Sequence, residues 1–215
     1  MTRVLEGHKV AVLATDGFDQ REFDQPVKAL RDAGATVEIL AIDEGTIQGV
    51  KGDSNPPVKV DRRVADARAT DYSALVLPGG VKNPDTLRQD PHAVRFARTM
   101  LEMNKPVAAI CHAPWVLVET GLVRGRTLTS YPSLRTDLEN AGAKWVDREV
   151  SLDERLLTSR DPGDLPAFCD ALVKLISESM DERKLDAMVE QSFPASDPLP
   201  ASTTIASSGP ENEAR

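Results

Sequence analysis

For about 180 residues, short unbroken apolar runs alternate with longer stretches in which apolar positions recur every three or four residues. The runs predict strands buried on both faces, and the stretches predict amphipathic helices. Residues 9–15 (KVAVLAT) form the first run, closed by a turn at Asp16 and Gly17. Phe18, Phe23, Val27, Leu30 and Ala33 then hold helical spacing up to Gly34, a residue suited to ending a helix. Residues 36–42 are the second strand, so the chain opens β-α-β, the signature of a parallel sheet. Residues 44–61, with Gly45, Gly49, Gly52, Pro56 and Pro57, predict short hairpins or loops, and residues 64–67 a helical turn. A third strand at 72–77 runs into Pro78-Gly79-Gly80, and one amphipathic helix is expected over 84–103. A fourth strand, Val107–Ile110, leads through Cys111 to a helix over 114–120. Beyond it the pattern predicts a short strand at 127–129, a helix from Ser133 to Leu138, edge strands at 145–146 and 150–159 that could be antiparallel, and a last helix over 164–180. This alternation predicts a doubly wound α/β fold, a mostly parallel sheet sandwiched by helices.

The pattern fades after residue 180. Residues 181–193 could continue as a weakly amphipathic helix, whereas 194–215 are Pro, Ser, Ala and Glu without a period. The expected organisation is therefore an α/β domain over 1–180 and a C-terminal extension over 181–215, largely disordered, with a docking peptide as the lesser alternative. At 215 residues, 40% hydrophobic and 28% charged, the chain has enough core to fold without disulfides or metals. A net charge of −8 argues against strong nucleic-acid binding or anionic lipid surfaces. No targeting segment and no membrane-spanning run is apparent, so the expected location is cytoplasmic. The two cysteines, Cys111 and Cys169, are read as free thiols, and no zinc spacing is present.

Candidate chemistry centres on Cys111. Val107–Ile110 suits a buried strand and Pro114 suits a first helical turn, so Cys111 and His112 fall at the strand-to-helix junction, with small residues Ala109 and Ala113 two positions either side. That is the pattern of a nucleophile elbow. The free N–H groups at the helix start would lower the thiol pKa and make Cys111 a nucleophile at neutral pH. The alternative is a cysteine that merely packs as a small hydrophobe. Ligands of open parallel sheets bind at the carboxyl ends of the strands, and Glu22, Gly79-Gly80 and Cys111-His112 each follow a different buried strand. A carboxyl beside a thiolate should be raised in pKa, and a protonated Glu22 could then donate to the sulfur; otherwise Glu22 is an ordinary first-turn glutamate. The N–H groups of Gly80 and His112 could form an oxyanion hole. His112, adjacent to the nucleophile, acts as a base only if the elbow turns it back or another chain orients it, and is otherwise a polar cap. His8 and His92 read as surface residues.

Several spaced motifs converge on one family. Thr15-Asp-Gly-Phe-Asp-Gln-Arg-Glu22 with Pro26, Leu77-Pro-Gly-Gly80 with Pro84-Asp-Thr-Leu-Arg88, Lys105-Pro-Val-Ala-Ala-Ile-Cys-His112, Thr129 through Leu138 and Asn140-Ala-Gly-Ala143 together resemble the PfpI family over residues 8–180. That family lies in the class I glutamine amidotransferase-like superfamily, of flavodoxin-like fold, and is related to the Parkinsonism-associated deglycase. The resemblance implies Cys111 as nucleophile, His112 as its neighbouring histidine and Glu22 as the glutamate touching the sulfur. It also implies that Asp85 reaches across a subunit interface to the partner's histidine, so that a homo-oligomer, dimer or hexamer, completes the site. On local sequence alone Asp85 is equally a helix N-terminal residue after Pro84. Tyr131 stands where similar sequences often have tryptophan.

The implied activity is a cysteine-dependent hydrolase, a stress-protective deglycase or glyoxalase acting on methylglyoxal or glyoxal and their adducts with amines and thiols. No cofactor or metal is expected. An intracellular cysteine peptidase uses the same residues, and a non-enzymatic redox stress sensor could use Cys111 alone. Glutamine amidotransfer is excluded, because it needs a histidine well downstream of the nucleophile and none follows His112.

Overall fold

A computed structural model describes residues 3–50 and 56–192, with side chains up to residue 179. In chain order the elements are β1 (Lys9–Leu13), α1 (Gln20–Asp32), β2 (Thr36–Ala41), β3 (Thr46–Ile47), β4 (Val58–Lys59), β5 (Arg62–Arg63), β6 (Ala74–Leu77), α2 (Lys82–Leu87), α3 (Pro91–Glu102), β7 (Val107–Ile110), α4 (Pro114–Glu119), β8 (Thr127–Leu128), α5 (Arg135–Asn140), β9 (Lys144–Trp145), β10 (Val150–Asp153), β11 (Leu156–Ser159) and α6 (Leu165–Ser192).

Seven strands form the central sheet in the order β10-β11-β7-β6-β1-β2-β5, all parallel to their neighbours except the edge strand β10. The order reverses at β1, with β2 on one side and β6 on the other, which opens a crevice at the carboxyl ends of β1, β6 and β7. Alternation along the strands splits the core into two layers. Val10, Val12, Val76, Ala108 and Ile110 pack with Phe23, Val27, Leu30, Phe168 and Leu172 of α1 and α6 on one face. Ala11, Leu13, Leu75, Leu77, Val107 and Ala109 pack with Phe96, Met100, Val116 and Leu117 of α3 and α4 on the other. This is the expected doubly wound architecture.

Local chemistry sets the element ends that matter to the crevice. Asp19 caps α1, its side chain accepting from the N–H groups of Arg21 and Glu22. Pro26 lies inside α1 and removes the N–H that the Glu22 carbonyl would otherwise accept.

Four expectations need correction. The single helix over 84–103 is two helices, because Asp90 is extended (φ −88, ψ 118) and its side chain accepts from Ala93 N–H, while Pro91 begins a new helix. β11 is no edge strand; β10 and β11 do pair antiparallel, but β11 lies inside the sheet against β7. The strand near Trp145 pairs with β8 in a separate two-stranded sheet. His8 is buried rather than superficial, whereas His92 is exposed.

The last helix continues past residue 180 to Ser192, and the rest of the extension lies outside the described residues, as do residues 51–55 of the predicted hairpin region. Among the described residues no helix is long and apolar enough to cross a membrane.

Candidate active site

The chain turns at Cys111 with a positive φ of 63°, a conformation rare for residues with a side chain. Two hydrogen bonds hold the turn: Cys111 N–H donates to Ser159 O at 3.1 Å, and Cys111 O accepts from Tyr131 N–H at 2.9 Å. The strained residue is thus fixed between the end of β11 and the 129–131 segment. Its side chain is 7% exposed.

Glu22 arrives from the first turn of α1 and is fully buried. Its Oε2 accepts from Gly79 N–H at 2.9 Å, and its Oε1 is buried with no hydrogen-bond partner. Gly79 has to be glycine here, since a Cβ would lie 2.6 Å from Cys111 Cβ and 2.8 Å from Ile110 O and would also strike the Glu22 carboxyl. The backbone N–H groups of Gly80 and His112 lie on the sulfur side of the turn and pull the Cys111 thiol down. His112 turns back toward the thiol, with Nδ1 3.1 Å from Sγ. Its Nε2 is 3.3 Å from Ser133 Oγ. The ring stacks on Tyr131, centroids 4.7 Å apart, and meets Trp115 edge-on at 5.5 Å.

Burial dominates the electrostatics. It raises Glu22 to about 7, helped by the charge of Asp19 and opposed by hydrogen bonds to Cys111 and Gly79. Burial also pushes the Cys111 thiol upward, with the charge of Glu22 adding to the rise, while the N–H groups of Gly80 and His112 pull it down. The expectation that the helix start lowers this thiol is therefore corrected: α4 spans only six residues, and its free N–H groups do not outweigh desolvation and a carboxylate neighbour. The carboxyl does rise as expected. Thiol and carboxyl together form a pair that resists carrying two charges and retains a proton at neutral pH. Burial lowers His112, which favours its neutral form, able to accept a proton.

The structure gathers Glu22, Gly79, Gly80, Cys111 and His112 at one point of the crevice. Asp85 does not join them within the chain; it stays exposed on α2, and the side chains bonded to His112 are those of Cys111 and Ser133. Ser133 escaped the sequence analysis, where it reads only as a helix start. So did Asn83, a fully buried side chain that bonds Thr15 N–H, Pro78 O and Gly79 O. Its only sequence signal is a polar residue three positions beyond a double-glycine turn. Cys169 is a free, half-buried thiol on α6, outside this cluster. Among the described residues no group of three or more His, Cys, Asp or Glu side chains could hold a metal ion.

Comparisons with known proteins show the family and the fold. A family model described as the DJ-1/PfpI family matches residues 8–175. The chain is 44% identical over 160 residues to the protein named "Putative cysteine protease YraA" of Bacillus subtilis, covering 74% of this chain and 93% of that one. It is 40% identical over 168 residues to the protein named Deglycase PfpI of Pyrococcus furiosus, covering 78% and 99%. Among solved structures, Drosophila melanogaster DJ-1beta superposes with a TM-score of 0.72 at 26% identity, covering 88% of this chain and 98% of that one.

Proposed function

The chain belongs to the DJ-1/PfpI family, and from that premise we propose that it is a Cys111-dependent deglycase that hydrolyses the adducts of methylglyoxal or glyoxal with amines and thiols. The observation that carries the reading is the setting of the Cys111 sulfur: an imidazole nitrogen at 3.1 Å, a buried carboxyl whose charge raises the thiol, and the Gly80 and His112 N–H groups that pull it down. Relatives named deglycase and cysteine protease support hydrolysis at such a cysteine. The low exposure of Cys111, 7%, favours a small carbonyl compound over an extended peptide.

In this mechanism the adduct gives up its amine or thiol at the site, the carbinol proton passing to the departing group through His112, and the sulfur adds to the aldehyde carbon so exposed while its own proton passes to Glu22. The oxygen that gains charge lies against the N–H groups of Gly80 and His112. Glu22 and neutral His112 then move a proton from that carbon to the neighbouring ketone carbon, which becomes the alcohol while the first becomes a thioester to Cys111. Water releases the acyl group from sulfur. The balance is adduct plus water giving lactate or glycolate plus the free amine or thiol. One carbon rises to the acid level as its neighbour falls to the alcohol, so no external oxidant enters.

The proposal extends to assembly and setting. Asp85, exposed on α2, acts on His112 of a second copy, in a homo-oligomer, and the protein works in the reducing cytoplasm with both thiols free. Intracellular peptide hydrolysis is the second reading, favoured by the name of the Bacillus subtilis relative. A parallel assay of the purified protein on free methylglyoxal, a methylglyoxal-modified amino acid and a fluorogenic peptide separates them. Release of lactate from the adduct with the peptide left intact is expected. Peptide cleavage with the adduct untouched would overturn the deglycase reading.

A further inference from the structure

Asn83 is polar, fully buried and close to the reacting groups without touching them. Its Oδ1 accepts from Thr15 N–H at 2.7 Å, just beyond β1. Its Nδ2 donates to Pro78 O at 2.8 Å and to Gly79 O at 3.1 Å, just beyond β6. Each of those carbonyls belongs to a peptide unit whose N–H does something at the site. The Pro78–Gly79 peptide carries the N–H that binds Glu22 Oε2 at 2.9 Å. The Gly79–Gly80 peptide carries the Gly80 N–H, which faces the Cys111 thiol closely enough to pull it down.

A trans peptide is planar and points its N–H opposite to its C=O, and no cis bond occurs among the described residues. Holding the two carbonyls with one amide group therefore fixes the direction of both N–H groups. Such a hold is needed because glycine has no side chain to limit rotation of these units, and Gly80 sits at a φ of +79°. Oδ1 ties the same amide to the end of β1, which feeds the loop leading to Glu22. No other neutral side chain of this size offers two donors and an acceptor at once.

We propose that Asn83 is the positioning residue that aims the Gly79 N–H at Glu22 and the Gly80 N–H at Cys111. This rests on the reading of Cys111 and Glu22 as the reacting groups. The buried amide does not meet substrate; it acts through the two peptide units. Releasing them would withdraw hydrogen bonds that stabilise the ionised forms of both groups, so both would ionise at higher pH.

The test is the pH profile of Cys111 alkylation in the full chain, which needs no substrate. Asn83→Leu keeps the branched shape and the number of heavy atoms and removes all three hydrogen bonds, Asn83→Ala removes them with a cavity, and Leu87→Val on the same helix is a packing control. In both Asn83 variants the profile should move to higher pH, with alkylation at pH 7 about 10-fold slower for each unit of displacement. The control should lose stability without moving it. Profiles superimposed on wild type in a folded Asn83 variant would overturn the proposal. Should neither variant fold, amide exchange in the wild type decides: protection of Gly79 and Gly80 matching β6 supports the proposal, and exchange at open-loop rates contradicts it. Turnover separates the two readings. A shifted profile in a protein that turns over no adduct sinks the deglycase reading alone, and Cys111-dependent turnover with an unmoved profile sinks this one alone.

Discussion

At the scale of single residues, a buried carboxyl and a buried thiol lie close together, and burial raises the affinity of both for a proton. Glu22 is buried without exposure and raised from an ordinary 4.5 to about 7, so the folded chain holds its proton more tightly than the unfolded chain does. The stability it contributes is complete below its ordinary pKa and is lost as pH climbs through about 7; the loss amounts to ~3 kcal/mol. Carboxylates held low by cations, such as Asp164 beside Arg160, act in the opposite direction, so the difference between two proteins isolates Glu22. Denaturant titrations between pH 5 and 8 should show wild type losing stability relative to Glu22→Gln, and parallel pH curves would contradict the raised carboxyl. The amide cannot shuttle protons, and turnover should fall about 100-fold. Convergence of Glu22, Gly79, Gly80 and Cys111 was legible in the sequence, because each follows a buried strand of a parallel sheet. The direction of the thiol's shift was not legible. It depends on how deeply the sulfur sits and on how close a carboxyl fifty-odd positions from the double-glycine turn approaches it.

Elements were readable where side-chain type alone settles the backbone. Val107–Ile110 matches the expected strand residue for residue, because small and β-branched residues covered on both faces leave few alternatives, and Pro114 starts α4 as a residue without an N–H can. The break between α2 and α3 was missed because apolar spacing continues across it. The information lay in Asp90-Pro91, where proline pushes the preceding residue out of the helical region and aspartate caps the next helix at 2.7 Å. Asp90→Ala should lower stability by ~1 kcal/mol and leave Cys111 alkylation unchanged. Chemical denaturation beside alkylation kinetics measures both, and a stability equal to wild type would remove the cap from the account. The inner position of β11 was hidden for a related reason: the half-polar sequence Leu-Leu-Thr-Ser of 156–159 reads as an edge strand, and only its pairing with β7 shows otherwise.

For the whole molecule, a single chain brings together a thiol, a carboxyl, an imidazole and two N–H groups, but not Asp85. Within the chain Ser133 occupies His112 Nε2, so a carboxylate arriving from a second copy would adjust an imidazole already turned toward the sulfur. Asp85→Asn should accordingly slow turnover by about 10-fold rather than abolish it. Unfolding and reassembling a mixture of Cys111→Ser and Asp85→Asn chains should raise activity above the sum of the two, since a mixed assembly contains sites with Cys111 in one copy and Asp85 in the other. Activity equal to that sum would restrict Asp85 to its own helix. All of this presupposes a covalent step at Cys111, and rapid-quench mass spectrometry examines it most directly. On mixing with a methylglyoxal–thiol adduct, substrate-derived mass should build up and decay at the rate of turnover on the peptide that contains Cys111. Lactate released by Cys111→Ser at the wild-type rate would contradict the account.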